Sequence, residues 1–119
     1  MTTSEGTSKL VAHEGVQIEL GGQAYVLPPM SLATRKKDIA TRKAMADGYD
    51  ELMEQDLLLE VIAETLRRNY PEITIQVLEP VTDFAELVEA YARLKEQEAR
   101  LMADLGKRVA AATLGQAAP

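Results

Sequence analysis

An apolar helix pattern stops abruptly at Asn69-Tyr70-Pro71, and this stop limits the length of the central helix. Asn favours the left-handed conformation that ends helices, and the residue before Pro is pushed out of helical space. Arg67 and Arg68 are expected to be structural, since cations stabilise a helix C-terminus. The pattern predicts a helix from about Asp50 to Arg68. Its buried face is marked by apolar residues at intervals of three, four and seven: Leu52, Leu59, Ile62 and Leu66.

Two short extended segments flank a glycine pair near the start of the chain. Apolar residues alternate with polar ones over Val16–Leu20, and a second run covers Ala24–Leu27 after Gly21-Gly22. Because Gly accepts the positive φ angles of tight turns, the segment predicts a β-hairpin. Pro28-Pro29 ends the second strand, since proline cannot donate to a sheet ladder. An isolated hairpin is marginal in water, so it is expected to pack on the helices.

Helical patterns with candidate caps fill the rest of the chain. Ser31 can cap a helix from Leu32 to about Ala46, and Thr74 can cap a short turn. Thr82 or Asp83 can cap the last helix. The predicted fold is mainly α, a small helical domain with an N-terminal β-hairpin and a long C-terminal helix. Its predicted parts are a disordered arm (1–14), the helical domain with its hairpin (15–92), and an extended C-terminal helix (93–119) that frays from about Ala110.

Composition narrows the classes of function. The 119 residues suffice for one domain, and the net charge of −6 argues against a nucleic-acid binder or a protein of anionic membrane surfaces. No apolar run approaches the ~20 residues of a membrane span, and the N-terminus has no signal-peptide pattern. A cytoplasmic protein is therefore expected.

Residues that could act as catalytic groups or metal ligands are scarce. The chain has no Cys, and its one His, His13, lies beside Glu14 in the predicted arm. A nucleophile would have no evident base, and a metal site would have to use carboxylates alone. The sequence therefore predicts no catalytic residue, no metal site and no cofactor, and favours a protein that binds other proteins.

A basic motif occurs twice in the first predicted helix. Ala33-Thr34-Arg35-Lys36 recurs seven residues later as Ala40-Thr41-Arg42-Lys43. Seven residues is nearly two helical turns, so Arg35 aligns with Arg42 and Lys36 with Lys43. One interpretation is a basic face that pairs with the acidic second helix. The other is a docking surface for an acidic partner.

The last helix carries a heptad-like apolar stripe, interrupted by Glu98. Its first part, Phe84 to Tyr91, is expected to pack on the rest of the domain. Its second part, from Leu94 to Leu105, extends beyond what a small domain can cover and is expected to bind a partner. A self-dimerising coiled coil and a groove-binding helix both remain open. The stripe consists of Phe84, Leu87, Tyr91, Leu94, Leu101 and Leu105.

Three segments together resemble the tail assembly chaperones of long-tailed bacteriophages and their prophage relatives. Residues 20–29 match an "LGG-x-x-Y-x-LPP" opening, and residues 66–74 match a helix end of the form "LRRNYP-[DE]-[IL]-T". Residues 83–90 provide the third segment. The resemblance covers about residues 15–92, and the charged helix that follows departs from the pattern.

The resemblance implies a non-enzymatic helper of the host cytoplasm that is absent from the finished virion. Such chaperones keep the tape-measure protein soluble and help tail-tube subunits to polymerise around it. A second copy of the chain is a further candidate partner. The alternatives are a virion structural or adaptor protein and an acidic regulatory module. The hypothetical partner contacts are Arg35, Lys36, Arg42, Lys43, Leu94, Leu101 and Leu105.

Overall fold

A computed structural model describes residues 12–48 and 50–117. It confirms a mainly α fold with an N-terminal hairpin and a long C-terminal helix. Residues 1–11 of the predicted arm lie outside the described residues. A 3-10 turn, Met45–Asp47, follows the first helix. The elements in chain order are β1 (Val16–Leu20), β2 (Gln23–Leu27), α1 (Leu32–Ala44), α2 (Glu51–Leu66), α3 (Ile75–Leu78) and α4 (Phe84–Ala117).

The hairpin forms around the glycine pair, as predicted. β1 and β2 are antiparallel, and Leu20 lies opposite Gln23 across a two-residue turn. Gly21 and Gly22 have φ angles of 57° and 78°. Positive φ at both positions is the geometry that matches the right-handed twist of the strands. The side chains of Ile18, Leu20 and Leu27 are buried against the helices, so the hairpin is part of the core.

The end of α2 binds the outer edge of β2. The Asn69 side-chain amide donates to the Val26 carbonyl at 3.2 Å, and the Val26 N–H donates to the Tyr70 hydroxyl at 2.8 Å. Arg68 donates to the Pro29 carbonyl at 2.6 Å. The Tyr70 ring meets the Tyr25 ring edge to face, with 5.2 Å between centroids. The side chains of Asn69 and Tyr70 thus form the hydrogen bonds that a neighbouring strand would otherwise form with the edge of β2.

The predicted left-handed conformation at Asn69 is wrong, since no described residue other than Gly has a positive φ. α2 ends at Leu66, and the turn after it is closed by the Asn69 and Tyr70 N–H groups donating to the Leu66 carbonyl. The Asn69 side chain also exchanges two hydrogen bonds with the His13 backbone, at 2.7 and 2.8 Å. His13 is therefore anchored, although the predicted disordered arm included it.

Replacing Tyr70 with Phe tests the edge contact. The substitution keeps the ring against Tyr25 but leaves the Val26 N–H without its acceptor. We expect the free energy of unfolding to fall by about 1 kcal/mol in urea titrations, because a lost hydrogen bond at a half-buried donor costs about this much. Tyr25→Phe is the matched control. An equal loss in both variants would contradict a specific role for the Tyr70 hydroxyl.

The predicted caps Ser31 and Thr74 are confirmed, and Asp50, predicted as the first residue of the second helix, is its N-cap. The side chains of Ser31, Asp50 and Thr74 accept hydrogen bonds from the N–H groups of Thr34, Met53 and Val77. At the start of α4, Glu86 accepts from the Asp83 N–H at 3.0 Å and from the Gly21 N–H at 3.1 Å. These two backbone hydrogen bonds lower the pKa of Glu86. Glu86 therefore joins the hairpin turn to α4.

The core lies between the hairpin, α2 and the first half of α4. Leu59, Ile62 and Leu66 are buried, as predicted, whereas Leu52 is 67% exposed. Leu94 is completely buried and Gln97 donates to the Leu27 carbonyl, so the packed domain extends past residue 92. The buried apolar residues are Ile18, Leu20, Leu27, Met30, Met45, Leu57, Leu58, Leu59, Val61, Ile62, Ala63, Leu66, Ile73, Leu78, Leu87, Ala90 and Leu94.

α4 is much longer than the domain that it packs on. Its 34 residues span about 51 Å at 1.5 Å per residue. Residues 99–113 are all exposed. The helix runs to Ala117, and fraying from about Ala110 stays a prediction. No helix in the described residues is long and apolar enough to cross a membrane.

Candidate partner-binding surfaces

The basic face of α1 is largely occupied by acidic residues of the same chain. Arg42 donates to Glu54 of α2 at 2.6 Å, and Lys37 forms an ion pair with Glu60 at 2.8 Å. Arg35 reaches Glu98 of α4 at 3.3 Å. These contacts favour the interpretation in which the basic helix pairs with the acidic second helix.

A buried carboxylate organises the contact between α1 and α4. The side chain of Asp38 is 1% exposed. It accepts hydrogen bonds from the Tyr91 hydroxyl at 2.7 Å and from Lys95 at 3.0 Å, and Arg42 lies 3.9 Å away. The Arg42 guanidinium also stacks over the Tyr91 ring, 4.9 Å from its centroid. The charge of Asp38 is therefore compensated from α1 and α4 together.

The pKa values of this cluster follow from these contacts. Burial and the hydrogen bond to Asp38 both raise the pKa of Tyr91. Burial lowers the pKa of Lys95, but the hydrogen bond to Asp38 and the electrostatic effects of Tyr91, Asp38 and Glu98 together outweigh burial, and the net shift is upward. Tyr91 thus stays neutral and Lys95 stays charged throughout the neutral range.

The four cations that the sequence proposed as partner contacts have different surroundings. Arg35 and Arg42 are half-buried and engaged with Glu98 and Glu54. These ion pairs favour pairing within the chain for the two arginines, and their assignment as partner contacts stays a prediction. Lys36 and Lys43 are exposed on α1 and stay candidates for an acidic partner.

Acid should weaken the contact between α1 and α2. Burial raises the pKa of Glu64, but hydrogen bonds from Lys37 and Thr34 outweigh it, so the pKa lies below its ordinary value of 4.5. A lowered folded-state pKa contributes stability above the unfolded value and loses it as the pH falls through the folded value. We expect the free energy of unfolding to decline below about pH 4.5.

Glu64→Gln should cost about 1 kcal/mol at pH 7, since the lost ionic hydrogen bonds are partly screened by solvent, and should make that decline shallower. Urea titrations from pH 3 to pH 7 measure both effects. Glu60→Gln, which changes a more exposed contact of the same lysine, is the control. The assignment fails if both variants keep the wild-type pH profile.

The exposed part of α4 carries an apolar stripe. Leu101, Leu105 and Val109 are spaced by four residues on one face, and Met102 lies beside them. Their side chains are 48–56% exposed. We call these four residues the tail surface. Leu94, which the sequence also assigned to partner binding, lies in the core and cannot contact a partner without unfolding.

A second apolar surface was missed by the sequence analysis. Leu52, Leu59, Phe84 and Leu87 line a groove of about 220 Å³ between the start of α2 and the start of α4. Phe84 was expected to pack on the domain but is 46% exposed. Leu52 and Phe84 lie in the first turns of their helices, and the periodicity of a helix cannot show whether another element covers its end. We call this surface the α2–α4 groove; its other lining residues are Gln55, Asp56, Glu79 and Thr82.

The groove and the tail surface differ in charge. Residues 44–66 and 69–92 contain no Lys or Arg, and the charged side chains that line the groove, Asp56 and Glu79, are acidic. Residues 99–113 instead contain Arg100, Lys107 and Arg108 against Asp104. An acidic body thus carries a projecting helix with a surplus of positive charge.

The described residues contain no group of three or more His, Cys, Asp or Glu side chains that could hold a metal ion. No family model matches the chain, and neither a curated protein nor a solved structure compared with it matches.

Proposed function

We propose that the chain is a tail assembly chaperone that binds a tape-measure protein through the tail surface. The observation that carries the proposal is the projection of residues 99–113 from the domain with four apolar side chains exposed. Exposed apolar stripes of this kind mark interaction sites. The resemblance of residues 15–92 to phage tail assembly chaperones is the basis for proposing the tape-measure protein as the binding partner.

The physical requirements of this function suit the chain. A tape-measure protein is a long helical client whose apolar stripe has no partner until the tail tube forms. An amphipathic helix can cover such a stripe by helix-to-helix packing. The net charge of −6 keeps the covered client soluble through repulsion between bound copies. Each contact is small, so arriving tail-tube subunits can displace it.

The second proposed partner is the tail-tube protein. Lys36 and Lys43 lie on the exposed side of α1, away from the ion pairs that Arg42 makes with α2. They could contact an acidic surface of a tail-tube subunit while the tail surface holds the client. The chain would act in the host cytoplasm and leave before the virion is complete.

Co-expression with a tape-measure protein tests the proposal. We expect the soluble fraction of the tape-measure protein to rise and the complex to hold many copies of the chain. A tape-measure protein that stays insoluble, with no complex on affinity purification, would contradict the chaperone function. Finding the chain at fixed stoichiometry in purified virions would instead favour the virion adaptor.

A further inference from the structure

We propose that the α2–α4 groove is a docking site for an amphipathic helix of another protein, one whose apolar face is flanked by Lys or Arg. The inference goes beyond the proposed function, because that function uses the tail surface and gives the groove no role. It rests on three observations: the exposed apolar side chains of the groove, their helical spacing, and the acidic side chains beside them.

Large apolar side chains are exposed at the groove. Leu52 is 67% exposed and Phe84 is 46% exposed, and Val88, one turn after Phe84, is 45% exposed. Leu59 and Leu87 also line the groove but are buried, so they form its inner wall. Clustered apolar side chains that solvent reaches, with polar groups around them, mark sites of protein interaction.

The spacing of the lining residues suits a helix. Leu52 and Leu59 lie seven residues apart on α2, which is about 10 Å or two helical turns. Side chains at this spacing receive those of a second helix at positions i, i+4 and i+7. The groove volume of about 220 Å³ lies below the roughly 300–1,000 Å³ of small-molecule pockets. The groove therefore suits a side chain of a docked helix better than a separate small ligand.

Charge selects the kind of helix. Asp56 and Glu79 line the groove and are exposed. Neither carboxylate forms an ion pair with a Lys or Arg of the described residues, whereas Glu54 on the same helix is paired with Arg42. A partner with Lys or Arg beside its apolar residues would supply the missing cations, and an acidic partner would be repelled.

Segments of the same copy do not supply this helix. The tail surface begins at Leu101, seventeen residues after Phe84 on one continuous helix, so about 25 Å separates it from the groove. Residues 1–11 contain one cation, Lys9, and no periodic apolar pattern. The occupant of the groove is therefore another molecule.

A second copy matches the groove poorly. Arg100 and Arg108 are already paired with carboxylates four residues before them on α4. Of the cations in residues 99–113, these pairs leave Lys107. A different protein, with several cations beside its apolar face, fits the acidic groove better.

Peptide binding to the full chain tests the proposal. The probe is a synthetic helix of about 18 residues, with Leu at helical spacing on one face and Lys on both sides of that face. One matched peptide replaces every Lys with Glu, and another scrambles the order so that no apolar face forms. In fluorescence anisotropy at about 0.15 M salt, the basic amphipathic peptide should bind at least about tenfold more tightly than either control. Equal affinity for the probe and either control would overturn the proposal.

Charge-reversal variants test whether the groove carboxylates select the probe. Asp56→Lys/Glu79→Lys should weaken binding of the basic peptide about tenfold or more. Glu14→Lys/Glu72→Lys makes the same change in net charge at two exposed carboxylates outside the groove lining. This control should stay within about threefold of the wild type, because salt screens distant charges. Equal weakening by the two double variants would show attraction to net charge alone and overturn the proposal.

Apolar variants test the location of the site. Leu52→Lys should weaken peptide binding about tenfold or more and leave the circular dichroism spectrum unchanged, because this side chain is already exposed. Leu101→Lys/Leu105→Lys, in the tail surface, should bind the peptide like the wild type. Loss of binding in the tail variant would place the site elsewhere and overturn the proposal. A wild-type dimer that Leu52→Lys disperses would assign the groove to a second copy and overturn it as well.

The groove and the proposed function can fail separately. The peptide experiments contain no tape-measure protein, and client solubility is tested through the tail surface. A chain that binds no peptide could still solubilise the client, and a chain that does not solubilise the client could still bind the peptide.

Discussion

Leu94→Ala is expected to lower the free energy of unfolding by about 3 kcal/mol, whereas Leu101→Ala should change it by less than about 0.5 kcal/mol. Both residues belong to one heptad-like stripe, but Leu94 is completely buried and Leu101 is 48% exposed. Truncating the first leaves a cavity among the side chains of the core. Truncating the second removes a side chain that solvent already reaches.

Urea titrations followed by circular dichroism, at concentrations where the chain is monomeric, measure both values. The same two variants separate stability from association. Leu101→Ala should weaken binding of a second copy or a client without affecting the fold. Equal losses of stability in the two variants would mean that the tail surface is covered by its own domain, contrary to the structure.

Asp38→Ala is expected to cost about 3 kcal/mol, because the groups around this carboxylate lose their only shared anion. The Tyr91 hydroxyl would lose its acceptor, and Lys95 would keep only its contact with Glu98 at 3.4 Å. Arg42 would remain held by Glu54. The polar contact between α1 and α4 would then depend on Arg42 with Tyr91 and on Arg35 with Glu98.

Asp104→Ala is the matched control, since Asp104 forms an exposed ion pair with Arg108 four residues away on the same helix. Such pairs contribute little, and the free energy of unfolding should change by less than about 0.5 kcal/mol. Differential scanning calorimetry can compare the variants. If Asp38→Ala were as mild as Asp104→Ala, the buried cluster would not be what joins α1 to α4.

Local signals in the sequence predicted the elements well. The glycine pair predicted the hairpin because only a few residues tolerate positive φ at consecutive positions. Ser31 and Thr74 marked helix starts because their short side chains accept from the first free N–H groups. These features depend on neighbours within a few residues. They can therefore be derived from the chain without knowing its tertiary structure.

Features that depend on tertiary contacts were not predicted. α2 ends at Leu66, before Asn69, and the Asn69 side chain instead holds β2 and the His13 backbone, which lie 43 and 56 residues away. Arg42 has the sequence pattern of a free basic stripe yet pairs with Glu54. Leu94 and Leu101 are equivalent in periodicity and differ only in whether the domain reaches them. The spacing of apolar residues identifies the stripe on α4, but only the packing of the folded domain determines which of its residues are buried.

The two motifs of the resemblance meet in space. Residues of the "LRRNYP" segment bind the edge of the second strand, through Asn69 and Tyr70 to Val26 and through Arg68 to Pro29. Their co-occurrence in the sequence thus has a structural reason in this chain. The segments that carry the resemblance thus contribute to the packing of the hairpin on the end of α2.

Client solubility in the presence of tail-surface variants tests the central claim most directly. The tape-measure protein would be co-expressed with the wild-type chain, with Leu101→Lys/Leu105→Lys, or with Leu32→Lys, an α1 control whose side chain is 68% exposed. We predict a soluble client with the wild type and the control, and an insoluble client with the double variant although that variant stays folded. A client that the double variant solubilises as well as the wild type would contradict the tail surface as the binding site.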